Sequence, residues 1–152
     1  MFKRILVPVD GSVTADCGLA EAIELARGLK SAPHLVLLNV VEWPTAVSEA
    51  GVFYDATALA SSLRAQGQGV LTKARHTCEQ AGVSVETEQR DALGRVADVI
   101  AERAGDRACD LIVMGTHGRR GANRWVMGSD AEIVARRSAV PVMLVRERHA
   151  VG

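Results

Sequence analysis

The chain has 152 residues, 48% apolar and 24% charged, an ordinary balance for a soluble globular protein large enough to bury a core. Its 18 basic and 18 acidic side chains cancel, so no overall field draws it to nucleic acid or membrane, and nucleic-acid binding is disfavoured. No apolar stretch reaches membrane-spanning length, and the run after Met1-Phe2-Lys3-Arg4 is too short for a secretory signal.

Ile5-Leu6-Val7-Pro8-Val9 is a continuous apolar run, the pattern of a strand covered on both faces. Asp10-Gly11-Ser12 is turn chemistry, and Ser12 or Thr14 suits a helix cap. Leu19, Ala22, Ile23 and Ala26 then recur at helical spacing over 15–29, until Ser31-Ala32-Pro33 breaks the pattern. A second buried strand is predicted over 35–41, ending in Asn39-Val40-Val41. Residues 42–55 hold Trp43-Pro44 and Gly51, lack periodicity and read as a long connection.

A helix follows over 57–81, with Leu59, Leu63, Val70, Ala74 and Cys78 near one face and Gly67 and Gly69 as weak points. Gly82 ends it. Residues 83–88 alternate like a strand with one wetter face, which suits a sheet edge. Asp91 and Gly94 precede a shorter helix whose inner face carries Val96, Val99, Ile100 and Ala104. A strand is predicted over 111–114, then a helix opened and capped by Ser129 and running through Arg137. The last strand covers 140–145, its Pro141 near the start where a missing donor is tolerated.

The order β-α-β-α-β-α-β-α-β, with no repeat and no dividing linker, predicts one α/β domain over 1–152. Such alternation means a doubly wound parallel sheet with helices on both faces and right-handed crossovers. Ligands of these sheets bind beyond the carboxyl ends of the strands, where strand order reverses. Residues 8–12, 40–43 and 115–121 leave strands at that edge. Cys17, Cys78 and Cys109, without C-x-x-C spacing, read as free thiols, mostly core fillers, in a reducing compartment, so a cytoplasmic location is expected.

The strongest motif is Met114-Gly115-Thr116-His117-Gly118 followed by Gly128-Ser129, a G-x2-G-x9-G-S pattern after a strand and before a helix. Glycines let a backbone approach an anion, and a helix start offers N–H groups with a partial positive charge. Arg119, Arg120 and Arg124 lie between and suit a phosphate clamp or a solvated basic loop. Trp125 reads as a loop anchor. Asp10, Ser12 and His117 share the edge, but there is no G-x-S-x-G elbow, no Walker A loop and no G-x-G-x-x-G fingerprint. The histidines have no metal-ligand spacing, so no metal site formed by the protein alone is indicated.

With Val7-Pro8-Val9-Asp10-Gly11-Ser12, Asn39-Val40-Val41, the glycine motif and Val140-Pro141-Val142-Met143-Leu144-Val145, the chain resembles the universal stress protein (UspA-like) family over nearly its whole length. The resemblance implies a Rossmann-like, five-stranded sheet of order 3-2-1-4-5 holding ATP across strands 1 and 4. It places Asp10 near the adenosine and backbone groups of Val40 at the adenine edge, and counts Pro8, Val9, Met114, Arg119, Asp130 and Ala131 among the nucleotide-binding residues. Gly115, His117 and Gly118 fall on the ribose and α-phosphate side, and Gly128 and Ser129 at the outer phosphates. Asp10 can accompany Mg2+ brought by the nucleotide. The resemblance further implies a homodimer paired through Pro141, Val142, Met143, Leu144 and Val145 of the last strand.

ATP-binding relatives follow Gly-Ser with an apolar residue and then Ser or Thr, where this chain has Asp130 and Ala131. Ala131 lacks a hydroxyl donor, and Asp130 competes with phosphate for the helix start, so a shift towards ADP or AMP is expected. The function implied is a nucleotide-binding switch in stress response, with at most slow ATP hydrolysis. The alternative is a dimeric interaction protein that has lost its nucleotide. The protein partner is not named by any motif.

Overall fold

In the computed structural model, residues 1–43, 56–117 and 127–147 are described. The elements run β1 Arg4–Pro8, α1 Val13–Gly28, β2 His34–Glu42, α2 Ala56–Gln80, β3 Val85–Ala92, α3 Val96–Asp106, β4 Leu111–Gly115, α4 Ser129–Arg137 and β5 Val142–Val145. The strands form one parallel sheet in the order β3-β2-β1-β4-β5. This is the fold class and the strand order expected.

The central strands carry apolar residues on both faces because helices cover both. Ile5, Val7, Leu35, Leu37, Leu111 and Val113 face Leu19, Ala22, Ile23 and Ala26 of α1 and Leu71, Ala74 and Cys78 of α2. The alternate residues Leu6, Val36, Leu38, Ile112 and Met114 face Ala97, Ile100 and Ala104 of α3 and Ala131 and Val134 of α4. Each fully buried Leu, Ile or Val stabilises the fold by about 1.5–3 kcal/mol, which outweighs the weak propensity of the short strands.

Several boundaries moved from those predicted. β3 starts later than predicted and continues to Ala92, because Gln89, Arg90, Asp91 and Ala92 find register partners from Asn39 to Glu42 on β2. β5 begins at Val142, with Pro141 outside it offering its carbonyl to the Ile112 N–H at 3.0 Å. β2 extends to Glu42, and the rest of the predicted connection, 44–55, lies outside the described residues. Gly82 ends α2 as predicted, with φ +71 and its N–H bonded to the Glu79 carbonyl at 3.0 Å. Among the described residues no helix is long and apolar enough to cross a membrane.

Candidate functional site

Strand order reverses between β1 and β4. Their ladder pairs Ile5 with Leu111 and Leu6 with Ile112 and ends there, leaving the carboxyl ends of the two strands unpaired with each other. After β1, the Asp10 Oδ1 accepts the Ser12 N–H at 2.9 Å, and Gly11 at φ +79 permits the turn. Ser12 then caps α1, its Oγ accepting the Ala15 N–H at 3.2 Å. The Thr14 hydroxyl donates to the His117 carbonyl, so the first turn of α1 holds the chain that leaves β4. Thr116 donates its N–H to the Val145 carbonyl at 2.9 Å and accepts the Gly128 N–H at 2.7 Å. The turn after β1, the exit of β4, the end of β5 and the start of α4 therefore meet around Thr116 and His117.

Gly115 and Gly128 of the motif also have an immediate cause within the protein. A Cβ on Gly115 would stand 2.5 Å from the Thr14 carbonyl oxygen, and one on Gly128 3.0 Å from that of Thr116. Both positions answer to backbone packed on backbone within the protein. Gly18 completes the contact, since its Cβ would lie 3.0 Å from the Gly115 nitrogen. α1 and β4 thus approach as closely as main chains allow.

The start of α4 also departs in detail. Gly128 is the N-cap, in extended conformation at φ −61 and ψ 148, and Ser129 is the first helical residue rather than the cap. The Gly128 N–H is already given to Thr116, and the first intrahelical bond is Glu132 N–H to the Gly128 carbonyl at 3.1 Å. The N–H groups of Ser129, Asp130 and Ala131 precede that bond, at the positive end of the helix. Ser129 and Asp130 are exposed, whereas the Ala131 methyl is 2% exposed and packs in the core with Ala97 and Val134. Asp130 and Glu132 make the first turn acidic, and Glu132 is paired with Arg136 at 2.7 Å.

Of the other predicted residues, Pro8 ends β1 and Val40 lies near the end of β2, both half-buried. Val9 and Met114 send their side chains into the two cores, so they can offer only main chain to a ligand. His117 Nδ1 lies 3.0 Å from Thr116 Oγ1. Gly118, Arg119, Arg120, Arg124 and Trp125 lie outside the described residues. Sequence reasoning missed Thr14 and Thr116 as the groups that tie the edge together; a hydroxyl residue just inside a helix start and another just after a strand were the signals.

Two of the three thiols lie in the cores. Cys78 and Cys109 are buried, and burial, with a smaller contribution from Glu79, pushes the Cys78 thiol up to about 11. Burial also raises Cys109. Neither carries much thiolate near neutral pH, so both act as core fillers.

A doubly wound parallel sheet with two polar turns and a helix start at its reversal point defines a class of α/β ligand-binding folds. The Universal stress protein family matches residues 1–146, and the chain belongs to that family. Universal stress protein MJ0531 of Methanocaldococcus jannaschii is 30% identical over 147 residues, covering 97% of this chain and 84% of that protein. Among solved structures, protein MJ0577 of the same organism superposes with a TM-score of 0.83 at 25% identity, over 99% of each chain. A universal stress protein in complex with cAMP gives 0.68 at 24% identity, over 97% of this chain and 99% of that one. The Arabidopsis thaliana family protein At3g01520 with AMP bound gives 0.69 at 20% identity, over 97% and 93%.

Proposed function

We propose that the chain binds an adenine nucleotide at the carboxyl edge between β1 and β4, and that occupancy changes the surface it offers to partners in a cytoplasmic stress response. The observation that carries this reading is the convergence on Thr116 and His117 of the Asp10–Ser12 turn, held through Thr14, and of the α4 start, held through Gly128. A carboxylate on one wall and a ring of helix-start N–H groups on the other suit a ribose and a phosphate respectively. The AMP and cAMP complexes of fold relatives support the ligand class.

In this reading Asp10 and the main chain of Pro8, Val9 and Val40 hold the nucleoside side. Met114, Gly115, His117, Gly118 and Arg119 take the sugar and first phosphate, and Ser129, with the N–H groups of Asp130 and Ala131, the outer phosphate. Mg2+ supplied with ATP would offset phosphate charge beside Asp10. The acidic first turn of α4 opposes a triphosphate, so ADP or AMP binds more tightly than ATP. In this reading the site acts by binding, with at most slow hydrolysis of ATP. The apolar β5 edge pairs with its copy to make a homodimer.

Calorimetric titration of nucleotide-stripped protein with ATP and Mg2+, ADP and AMP tests the proposal. Saturable micromolar binding near one site per chain, with AMP or ADP ahead of ATP, is the expected result. The acidic turn at Asp130 and Glu132 also favours a second reading, a dimeric interaction protein without nucleotide. Absence of heat and of any melting shift at high micromolar concentrations of all three nucleotides would establish that reading instead.

A further inference from the structure

Leu35 and Leu37 of β2 point into the core beneath α1 and α2, and Asn39 is the next residue on that face. It is 5% exposed, an amide in a row that is otherwise apolar. Its Nδ2 donates to the Val9 carbonyl at 2.9 Å, and its Oδ1 accepts from Gln89 Nε2 at 3.2 Å. Gln89 is the register partner of Asn39 on β3. The same Nε2 donates to the Arg64 carbonyl at 2.9 Å, and Gln89 Oε1 accepts from Gln68 Nε2 at 3.0 Å. One polar row crosses three strands, from the end of β1 to the sheet edge, and finishes on α2.

The helix leaves room for it at one residue. A Cβ on Gly67 would stand 2.1 Å from Asn39 Oδ1 and 2.2 Å from Gln89 Nε2. Glycine weakens a helix interior, and here it admits an amide pair that any side chain would drive apart. Burial alone gives no reason for the pair: leucine would continue the row of Leu35 and Leu37 without a polar group to satisfy. What an amide adds is direction. It fixes one carbonyl, that of Val9, whose N–H is already bonded to Leu38 at 2.8 Å. Val9 is the last residue before Asp10.

We infer that Asn39 and Gln89 are positioning residues for the ligand site, setting the direction in which the Asp10–Ser12 turn leaves the sheet and coupling that turn to α2 across Gly67. This rests on the adenine-nucleotide reading of the site. Neither amide touches the ligand; each acts through the Val9 carbonyl and the turn beyond it.

The test uses the full chain with Asn39→Leu and Gly67→Ala, each titrated with ATP and Mg2+ and with AMP, and followed by hydrogen exchange at the Ser12 amide. Leu25→Ala, which trims a half-buried side chain on α1 away from the row, is the control for general destabilisation. Both row variants should bind about tenfold more weakly and exchange the Ser12 amide faster, while the control melts lower and binds like wild type. If either row variant fails to fold, the other decides. Wild-type binding with unchanged affinity and exchange in the folded row variants overturns this inference and leaves the nucleotide reading intact. Wild type that binds neither nucleotide overturns both.

Discussion

The two edges of the sheet are built on opposite plans. β3 is long and charged. Its Glu86 is paired with Arg4 and, at 2.5 Å, with Arg107; its Glu88 with Arg103 at 2.7 Å and Arg90 at 2.5 Å; its Asp91 with Arg64. β5 is short, and Val142, Met143, Leu144 and Val145 are all half-buried. An edge strand offers unpaired main-chain groups to any other strand, and charge is a common way to discourage that. The difference separates an edge that resists a second strand, β3, where ion pairs would have to be displaced, from β5, the edge at which the proposed homodimer pairs.

The comparison is broken most severely by disturbing how β5 sits on β4. Gly115 pairs with Val145, and its missing Cβ is what lets α1 close on β4. Gly115→Ala should destabilise the fold by about 3 kcal/mol, read as a shifted urea midpoint with unchanged slope. Next comes the open side of β5. The carbonyls of Pro141 and Val145 accept from Ile112 and Thr116, so alternation turns the main-chain groups of Val142 and Leu144 outward. Leu144→Pro removes one outward donor and should halve the mass measured by light scattering at micromolar protein, while Arg90→Glu on the opposite edge leaves the mass unchanged. A mass that already corresponds to one chain in the wild type would reject pairing at β5.

The smallest effect sharpens the charged edge. Partial burial pushes the Glu86 carboxyl up, but the Arg107 hydrogen bond and the charges of Arg107 and Arg4 outweigh it and hold the group below its usual range. With the carboxyl about a third exposed, screening limits its worth. Glu86→Gln should cost about 1 kcal/mol at neutral pH, a melting shift of about 2–4 °C. A depressed native pKa gives stability that is fully present above the unfolded value of about 4.3 and is lost as pH falls through the lower native value. Wild type and Glu86→Gln should therefore converge in acid melting curves; a gap that stays constant down to pH 3 would mean the pair acts through packing alone.

Much of this architecture was legible because the strands are covered on both faces. Ile5 to Val9 and Leu111 to Met114 read as buried strands from apolar continuity alone, and the helical spacing of Leu19, Ala22, Ile23 and Ala26 located α1. The strand order came from resemblance to the family, since periodicity carries no neighbour information. What stayed hidden depends on contacts between distant segments. Nothing local marks Asp91 as strand, because Arg64 and the β2 register hold it there. Gly67 reads as a weakness in a helix until the amides beneath it are seen. At the candidate site, spacing singled out Gly115, Gly128 and Ser129 together, but not that two of the three serve chain-on-chain packing or that Ala131 turns inward.

The hydrogen bond from the Gly128 N–H to the Thr116 carbonyl joins the exit of β4 to the start of α4. With the exit of β4 and the start of α4 held 2.7 Å apart, the entropy of bringing those two points together is met by folding itself. Doubling the number of residues between two such points adds only about 0.6 kcal/mol to the closure. A change in the number of residues between Thr116 and Gly128 would therefore alter the stability of the fold by little.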